Sequence, residues 1–331
     1  MSSSHSALLT NKNSKSFTSR MFYRFLLPSC LSSLALSIGN MVDALVIGTR
    51  VGEEGLAALS LVLPVYMVFN VFDIGIAVGG SIEFSRLLGA GKAKRAKEHF
   101  NRMLQAALLV SLLFALLGNV FLEQLLFLLG TEPSQGATYE MAYAYTRILV
   151  SAAPVFFLNF LLYYFVRSDD NQKLAAVGFV VGNVLDVVLN YVFVIVCDYG
   201  VRGAILSTVI GLSVGNLIFL PHLFLKYTIL GLRWVRPNWR EVFSSFKNGF
   251  SSSNQYVFQF FFILLSNYLL LRMSGTAGVA VFDLVLNISY IGLSFFDAAQ
   301  STLQPLVSTF LGERNREASR ETARLSFIWG F

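Results

Sequence analysis

Five aspartates are the residues of this chain best suited to chemistry, because each lies in a long apolar stretch without Lys or Arg to pair with. An aspartate at the centre of a membrane helix costs about 2.5–3.5 kcal/mol. If all five faced lipid, the cost would be about 12–17 kcal/mol, more than the stability margin of a typical protein. Most are therefore expected to face a cavity or to be protonated, as a proton carrier or a cation site would require. They are Asp43, Asp73, Asp186, Asp283 and Asp297.

Three residues have the spacing expected of an ion-coupling group. Asp43 follows 18 uncharged residues, the length of a transmembrane helix. Asp186 is 13 residues from Lys173, near mid-membrane, and Asn190 lies four residues further on, on the same helix face. Two close carboxyl groups cannot both ionise cheaply, so Asp43 and Asp186 are expected to share a proton. The same oxygens suit Na⁺ as a hard cation, so the sequence leaves H⁺ and Na⁺ both open.

A substrate cavity is predicted around polar and aromatic side chains of the same stretches. For any single aromatic residue, core packing is the alternative, and for Asp283 and Asp297 the alternative is a helix-packing hydrogen bond. The predicted cavity residues are Tyr145, Asn159, Asp73, Gln255 and Asp283.

Membrane helices are the elements that must position these residues. The chain has 331 residues, of which 55% are hydrophobic and 13% charged, against about 25% charged in an ordinary soluble domain. Charge-free runs recur at the ~17–25 residues that a helix needs to cross a bilayer. The predicted fold class is therefore an all-α polytopic membrane protein. Its predicted spans are about 22–49, 56–84, 103–128, 139–166, 174–197, 203–225, 248–271 and 277–310.

Basic residues are distributed unequally between the two ends of these spans. One side carries 21 of the 25 Lys and Arg residues, and the other keeps only Arg50, Arg147, Arg202 and Arg272. This bias follows the positive-inside rule and predicts a multi-pass protein of the plasma (inner) membrane with a cytoplasmic N-terminus. The net charge of +6 thus reports topology, and the partner it indicates is the lipid bilayer, not a nucleic acid.

Three patterns that resemble enzyme or cofactor sites fail on their context. The GAGK at 89–92 lacks a following Ser or Thr and a preceding strand, which a phosphate-binding loop needs. Asp169 and Asp170 have no second acidic cluster to complete a metal site, so a hydrated turn is favoured. Cys30 and Cys197 give neither a disulfide framework nor metal-ligand spacing. The sequence therefore predicts that the protein is not an enzyme and needs no cofactor. The predicted coupling ion is H⁺ or Na⁺.

An internal repeat predicts a two-lobed transporter. Phe72-Asp73 in the second span matches Phe296-Asp297 in the eighth, and Gly89 matches Gly312, at an offset of about 223 residues with one residue of slippage. Parallel repeats of this kind are typical of transporters, and two six-helix bundles would give twelve spans, of which about 8.5 are present here. The chain is thus expected to be a fragment. The predicted domains are a disordered cytoplasmic tail (1–20), an N-terminal six-helix lobe (21–228), a cytoplasmic linker (229–246) and the start of a C-terminal lobe with helices 7, 8 and part of 9 (247–331).

Four motifs in order resemble the multidrug and toxic compound extrusion (MATE) family across nearly the whole chain. They are the P-x14-D-x4-G pattern of Pro28, Asp43 and Gly48, RLLGAGK at 86–92, GVRGAILSTVIG at 200–211, and Gln304-Pro305 followed by Gly312. The resemblance implies two six-helix lobes in a V around a central cavity, exporting cationic or amphipathic compounds in exchange for Na⁺ or H⁺. It also implies that Asp43 is the coupling carboxylate of the N-terminal lobe and that the first helix bends at Pro28.

The sequence departs from the family pattern in the fifth and seventh spans. The family often has Asn-x3-Asp in the fifth span, and here Asp186 and Asn190 have the two residue types exchanged. An acid and an amide four residues apart still share a helix face, with altered coordination geometry. Gln255 and Ser251 stand near positions where some branches carry an acid and a proline, which argues against a cation site in the second lobe.

Two alternative functions remain open from the sequence. One is a flippase-type transporter of a lipid-linked substrate, which would be expected to line its cavity with basic residues that these spans hardly contain. The other is a truncated membrane fragment without transport activity. The favoured prediction is an antiporter for a small cationic or amphipathic molecule, acting as a monomer.

Overall fold

A computed structural model of the chain describes the backbone of residues 2–225 and 228–330 and the side chains of 18–225 and 228–329. Met1, Lys226, Tyr227 and Phe331, which the predicted domains include, lie outside the described residues. Within the described ranges the fold is all-α and holds no β-strand, so the predicted fold class is confirmed. Helices suit a chain that crosses lipid, because their backbone hydrogen bonds are satisfied within one segment.

The described chain forms ten α-helices and three shorter turns. The α-helices are α1 (Ser2–Arg50), α2 (Glu53–Gly89), α3 (Ala93–Val120), α4 (Leu122–Leu128), α5 (Ala137–Ser151), α6 (Ala153–Ser168), α7 (Gln172–Asn190), α8 (Gly200–Phe219), α9 (Trp239–Gly312) and α10 (Arg316–Gly330). The shorter elements are 3₁₀ turns at Pro133–Gln135 and Leu220–Phe224 and a π-helix at Tyr191–Val196. Because the π-helix directly follows α7, Asn190 lies at the junction of two helix geometries.

Six of the helices in the described chain are long and apolar enough to cross a membrane, or seven if α5 and α6 form one bent span. α5 and α6 meet at 53° just before Pro154, whose nitrogen has no hydrogen to donate. α9 is two helices in one, because the backbone of Gly275 is non-helical, with φ 65° and ψ −154°. With that break each of the eight predicted spans has its helix, and the chain is a multi-pass membrane protein.

Two helices begin before the predicted domain boundaries. The sequence predicts a disordered tail over 1–20, and α1 begins at Ser2 within it; the predicted domains stay a prediction. Extending an existing helix adds a hydrogen bond for each residue fixed and needs no new nucleus, so the first span continues into the Ser-rich segment. α9 begins at Trp239, where Asn238 accepts a hydrogen bond from the Glu241 N–H. α9 thus begins within the predicted linker 229–246.

The turns with most basic residues meet at one end of the bundle, which we call the basic face. The linker is joined to α3 there, because Asn101 Nδ2 donates to Gly231 O at 2.9 Å. In the predicted hydrated turn Asp170 is exposed, whereas the Asp169 side chain is only 5% exposed and its Oδ2 lies 3.0 Å from His222 Nε2. At the opposite end, Arg50 Nε and Asp198 Oδ1 are 3.1 Å apart, which joins the α1–α2 turn to the loop before α8.

α2 packs against α9 at backbone distance. A methyl group on Gly79 would lie 1.9 Å from Ser245 O, so only glycine permits this contact, as at other close helix crossings in membranes. Further along, Ser60 Oγ donates to Asn267 Oδ1 at 3.1 Å, and Asn267 Nδ2 donates to Ser60 O at 2.7 Å. The contacts hold residues of the predicted second lobe beside the first six spans.

Candidate functional site: an acidic interior cavity

An interior cavity of about 210 Å³ lies between α1, α2, α5, α6, α7, α8 and α9. Its lining brings together three carboxylates, from Asp43 of α1, Asp186 of α7 and Asp283 of α9, with amides and aromatic rings. None of the described residues that line it is Lys, Arg or His. Carboxylates and aromatic faces without a compensating base favour a cationic ligand.

Asp43 and Asn190 are in direct contact within this region. Asn190 Nδ2 donates a hydrogen bond to Asp43 Oδ1, which joins α1 to the end of α7. Asp186 lies one turn earlier on the same face of α7 and lines the cavity together with Asp43. The structure therefore brings together the three residues predicted as the ion-coupling group, and their role in coupling stays a prediction.

Two buried oxygens of this group have no donor among the described residues, namely Asp186 Oδ1 and Asn190 Oδ1. Buried polar atoms are nearly always hydrogen-bonded, and leaving one unsatisfied costs about 1–3 kcal/mol. A proton would turn the Asp186 carboxyl into a donor, and Na⁺ would accept electron pairs from both oxygens. The arrangement thus fits either coupling ion.

The third carboxylate comes from the predicted second lobe. Asp283 is buried, and its Oδ2 accepts a hydrogen bond from Asn287 Nδ2 at 3.0 Å. Both residues line the cavity, as does Tyr290 one turn further on. Asp283 thus lies in the cavity lining. Its hydrogen bond to Asn287 stays within α9, so it is not the helix-packing hydrogen bond of the alternative.

Tyr145 belongs to an aromatic wall of the same cavity. Its hydroxyl oxygen is 3.0 Å from that of Tyr66. The Tyr66 ring centroid lies 5.9 Å from that of Phe156, with an interplanar angle of 72°. Aromatic faces of this kind attract a cation within about 6 Å of the ring centroid. Tyr145 thus lies where the sequence predicts it.

Three of the predicted cavity residues lie elsewhere. Asn159 Nδ2 donates to Asn216 Oδ1 at 3.1 Å, which ties α6 to α8. Asp73 is buried on α2 and is absent from the cavity lining among the described residues. Gln255 lines a separate cavity of about 90 Å³, with Asp297. The structure therefore places these three outside the lining of the cavity that holds Asp43 and Asp186, and their part in substrate binding stays a prediction.

Pro28 lies inside α1, one residue before Ser29, which is part of a buried polar cluster. Ser29 Oγ accepts from Arg167 Nη2 at 2.6 Å and from Thr302 Oγ1 at 3.1 Å. Arg167 is only 3% exposed. The cluster joins α1, α6 and α9 beside the proline, where the helix ladder lacks one N–H donor. A bend at Pro28 stays a prediction.

Sequence reasoning missed the amides that accompany the cavity carboxylates. An asparagine stands three residues before Asp43, three before Asp186 and four after Asp283. Residues three or four apart share a helix face, so this spacing was a usable signal. The three amides, all in the cavity lining, are Asn40, Asn183 and Asn287.

Comparison with known proteins follows this geometry. Residues 28–192 match the family model MatE. The chain is 29% identical over 227 residues to the probable multidrug resistance protein YoeA of Bacillus subtilis, covering 67% of this chain and 48% of that protein. It is 28% identical over 238 residues to the multidrug export protein MepA of Staphylococcus saprophyticus, covering 71% and 52%. The chain spans about half the length of these curated relatives.

A solved structure has the same arrangement of helices. The MATE multidrug transporter DinF-BH, solved as a ligand complex, superposes with a TM-score of 0.86 and 25% sequence identity, over 94% of this chain and 69% of that one. The apolar helices and their acidic interior cavity place the chain in the class of polytopic helical membrane proteins. The chain belongs to the MATE family. The predicted family is thereby confirmed, and since its members are transporters, so is the prediction that the chain is not an enzyme.

Proposed function

We propose that the full-length protein is a secondary antiporter that exports small cationic or amphipathic compounds in exchange for H⁺ or Na⁺. The observation that carries the proposal is the cavity in which Asp43, Asp186 and Asp283 meet with no base among its described lining residues. The names of the relatives, multidrug resistance and multidrug export proteins, support drugs as the substrates.

Exchange follows if one set of carboxylates binds either the ion or the substrate. A proton or Na⁺ at Asp43 and Asp186 lowers the negative charge of the cavity and weakens its hold on a cationic substrate. When the ion leaves, the charge returns and the substrate binds again. Unit charges 4 Å apart interact by about 4 kcal/mol at an effective dielectric constant of 20, enough for ion and substrate to displace each other.

Asn190 positions Asp43 in this scheme. Its hydrogen bond to Asp43 ties the carboxylate to α7, beside the two buried oxygens that lack a donor in the described chain. Loading the site with an ion would change this link, and a bend of α1 at Pro28 would carry Asp43 relative to α7. The ion-loaded and ion-free states would thus differ in the position of α1.

The proposal includes a location. The unequal distribution of Lys and Arg supports a place in the plasma (inner) membrane with the N-terminus and the basic face in the cytoplasm, and we propose that the protein acts there as a monomer. A flippase for an anionic lipid-linked substrate is disfavoured, because the described cavity lining holds no basic residue.

The test is dye transport by the full-length protein in proteoliposomes, with a pH gradient and a Na⁺ gradient applied separately. The gradient that drives transport identifies the coupling ion. Asp43→Asn should abolish the response to that gradient, whereas Asp170→Asn, at an exposed turn, should leave it unchanged. Dye movement by the wild-type protein that responds to neither gradient would rule out antiport. A wild-type response in Asp43→Asn would remove Asp43 from the mechanism.

A further inference from the structure

The linker before α9 carries exposed aromatic and basic side chains that the cavity does not use. Trp234 is 83% exposed and Trp239 is 55% exposed. Around them are three exposed arginines, and within the described residues no carboxylate lies within 4.0 Å of their guanidinium groups. We call the set the linker belt; it consists of Trp234, Trp239, Arg233, Arg236 and Arg240.

The backbone of this segment is fixed to α3, which leaves its side chains facing outward. Asn101 Nδ2 donates to Gly231 O at 2.9 Å, and the Arg233 N–H donates to Asn101 Oδ1 at 2.8 Å. Asn101 is itself buried. Arg102 Nε donates to Arg236 O at 3.4 Å. The backbone of the linker belt therefore has a fixed position on the helical bundle.

The segment's own acid does not balance these arginines. Glu241 is the one carboxylate between residues 229 and 247. Its Oε1 lies 2.6 Å from His99 Nδ1, and its Oε2 accepts from Arg102 Nη1 at 2.6 Å. Both oxygens are thus used within the protein, and the arginines of the linker belt keep an unbalanced positive charge.

The hydrogen bonds to α3 also set the depth of the belt. Asn101 and Arg102 immediately precede the charge-free run 103–122, so they lie at the border of that span. The linker held against them lies at the same level, where Trp side chains are enriched in membrane proteins. The leaflet on the positive-inside side is anionic and attracts basic residues by about fivefold for each charge.

We propose that the linker belt binds the headgroups of anionic phospholipids in the leaflet at the basic face. Trp234 and Trp239 anchor at the boundary between headgroups and acyl chains, and the three arginines contact the phosphates. Charge complementarity selects this partner, because the segment presents three unpaired guanidinium groups and no free acid. Since the belt runs directly into α9, the bound lipid fixes the start of α9 relative to the membrane surface.

The test uses the full-length protein in nanodiscs of phosphatidylcholine and phosphatidylglycerol, with brominated acyl chains on one lipid at a time. The difference in tryptophan quenching between the wild-type protein and Trp234→Phe isolates the signal of Trp234. Brominated phosphatidylglycerol should quench this signal at least fivefold more than an equal amount of brominated phosphatidylcholine, and aqueous iodide should quench it little. Equal quenching by the two lipids, or strong quenching by iodide, would overturn the proposal.

A second variant tests the arginines. Replacing Arg233, Arg236 and Arg240 together by Gln should reduce the lipid preference to near unity. Arg202→Gln, a control at an exposed position on the opposite face, should keep it. A preference that survives the triple substitution, or that inorganic phosphate abolishes, would overturn the lipid assignment. If the triple variant fails to fold, the Trp234 measurement still decides.

Discussion

Carboxylates lie in two contrasting regions of this molecule. At the basic face, Asp169 and Glu241 each have a histidine nitrogen within 3.0 Å, and Glu241 also binds Arg102. In the interior cavity, Asp43 and Asp186 face amides, hydroxyl groups and aromatic rings, with no base among the described lining residues. A carboxylate thus meets a histidine or arginine side chain in one region and none in the described lining of the other.

The difference distinguishes carboxylates whose pairing stabilises the fold from carboxylates that are free to bind an ion or a substrate in turn. Removing one member of a buried pair leaves the other uncompensated and lowers stability. An unpaired carboxylate inside a membrane protein is costly to keep and marks a functional site. Replacing an acid by its amide should therefore have opposite consequences in the two regions.

The largest expected effect is in the cavity. Asp43→Asn should lower gradient-driven transport at least a hundredfold, about 2.7 kcal/mol, because the carboxylate that binds the ion is lost. The thermal unfolding midpoint in detergent should stay the same or rise, since a neutral amide costs less to bury. Normal transport by this variant, or a clearly lower unfolding temperature, would contradict the view that the cavity carboxylates serve function and not stability.

The matching substitution at the basic face should do the reverse. Asp169→Asn removes the charge that faces His222 and weakens the acceptor for the Ile229 N–H, 3.2 Å away. The free energy of unfolding should fall by about 2 kcal/mol, with transport per folded molecule unchanged. Asp170→Asn is the matched control at the exposed neighbouring position. An equal loss in both variants would show that the buried pair is not the cause.

A smaller effect is expected from the third cavity acid. Asp283→Asn should weaken binding of a singly charged dye about fivefold, close to 1 kcal/mol, and leave a neutral dye unaffected. Asp297→Asn, which alters an acid outside this cavity, is the control. Equilibrium binding by fluorescence anisotropy measures both. Equal weakening for the neutral dye would point to altered shape instead of lost charge.

The smallest effect tests whether pairing alone makes a carboxylate structural. Arg50 and Asp198 form an ion pair whose side chains are 48% and 67% exposed. Asp198→Asn should change the free energy of unfolding by less than about 0.5 kcal/mol, because exposed pairs are screened by water. A loss as large as that of Asp169→Asn would mean that burial does not distinguish the pairs.

The number of membrane helices could be predicted from the sequence, because bilayer thickness sets the length of each apolar run. The prediction 203–225, for example, corresponds to α8 and the 3₁₀ turn that follows it. The sequence also predicts the candidate ion-coupling residues Asp43, Asp186 and Asn190. Residue type and i, i+4 spacing are enough to identify them, because the two charges have no basic partner in their own spans.

The remaining site residues depend on which helices become neighbours. The Asn159 side chain forms a hydrogen bond with α8, and the Arg167 side chain forms one with α1. Helical periodicity alone does not predict which neighbouring helix a side chain will contact. The fate of Asp169 likewise depends on His222, 53 residues away in sequence. Burial in a multi-helix bundle is thus a property of tertiary packing that a single span does not reveal.

The π-helix Tyr191–Val196 begins directly after Asn190. A π-turn contains one residue more than an α-turn. The segment between α7 and α8 therefore holds one residue more than an α-helix of the same number of turns. Deleting any one residue there would let the helix regain α geometry and rotate Asn190 by about 100° relative to the loop before α8. The π-helix thus sets the rotation of α7 about its axis, and with it the angle at which the acid–amide pair of α7 meets Asp43.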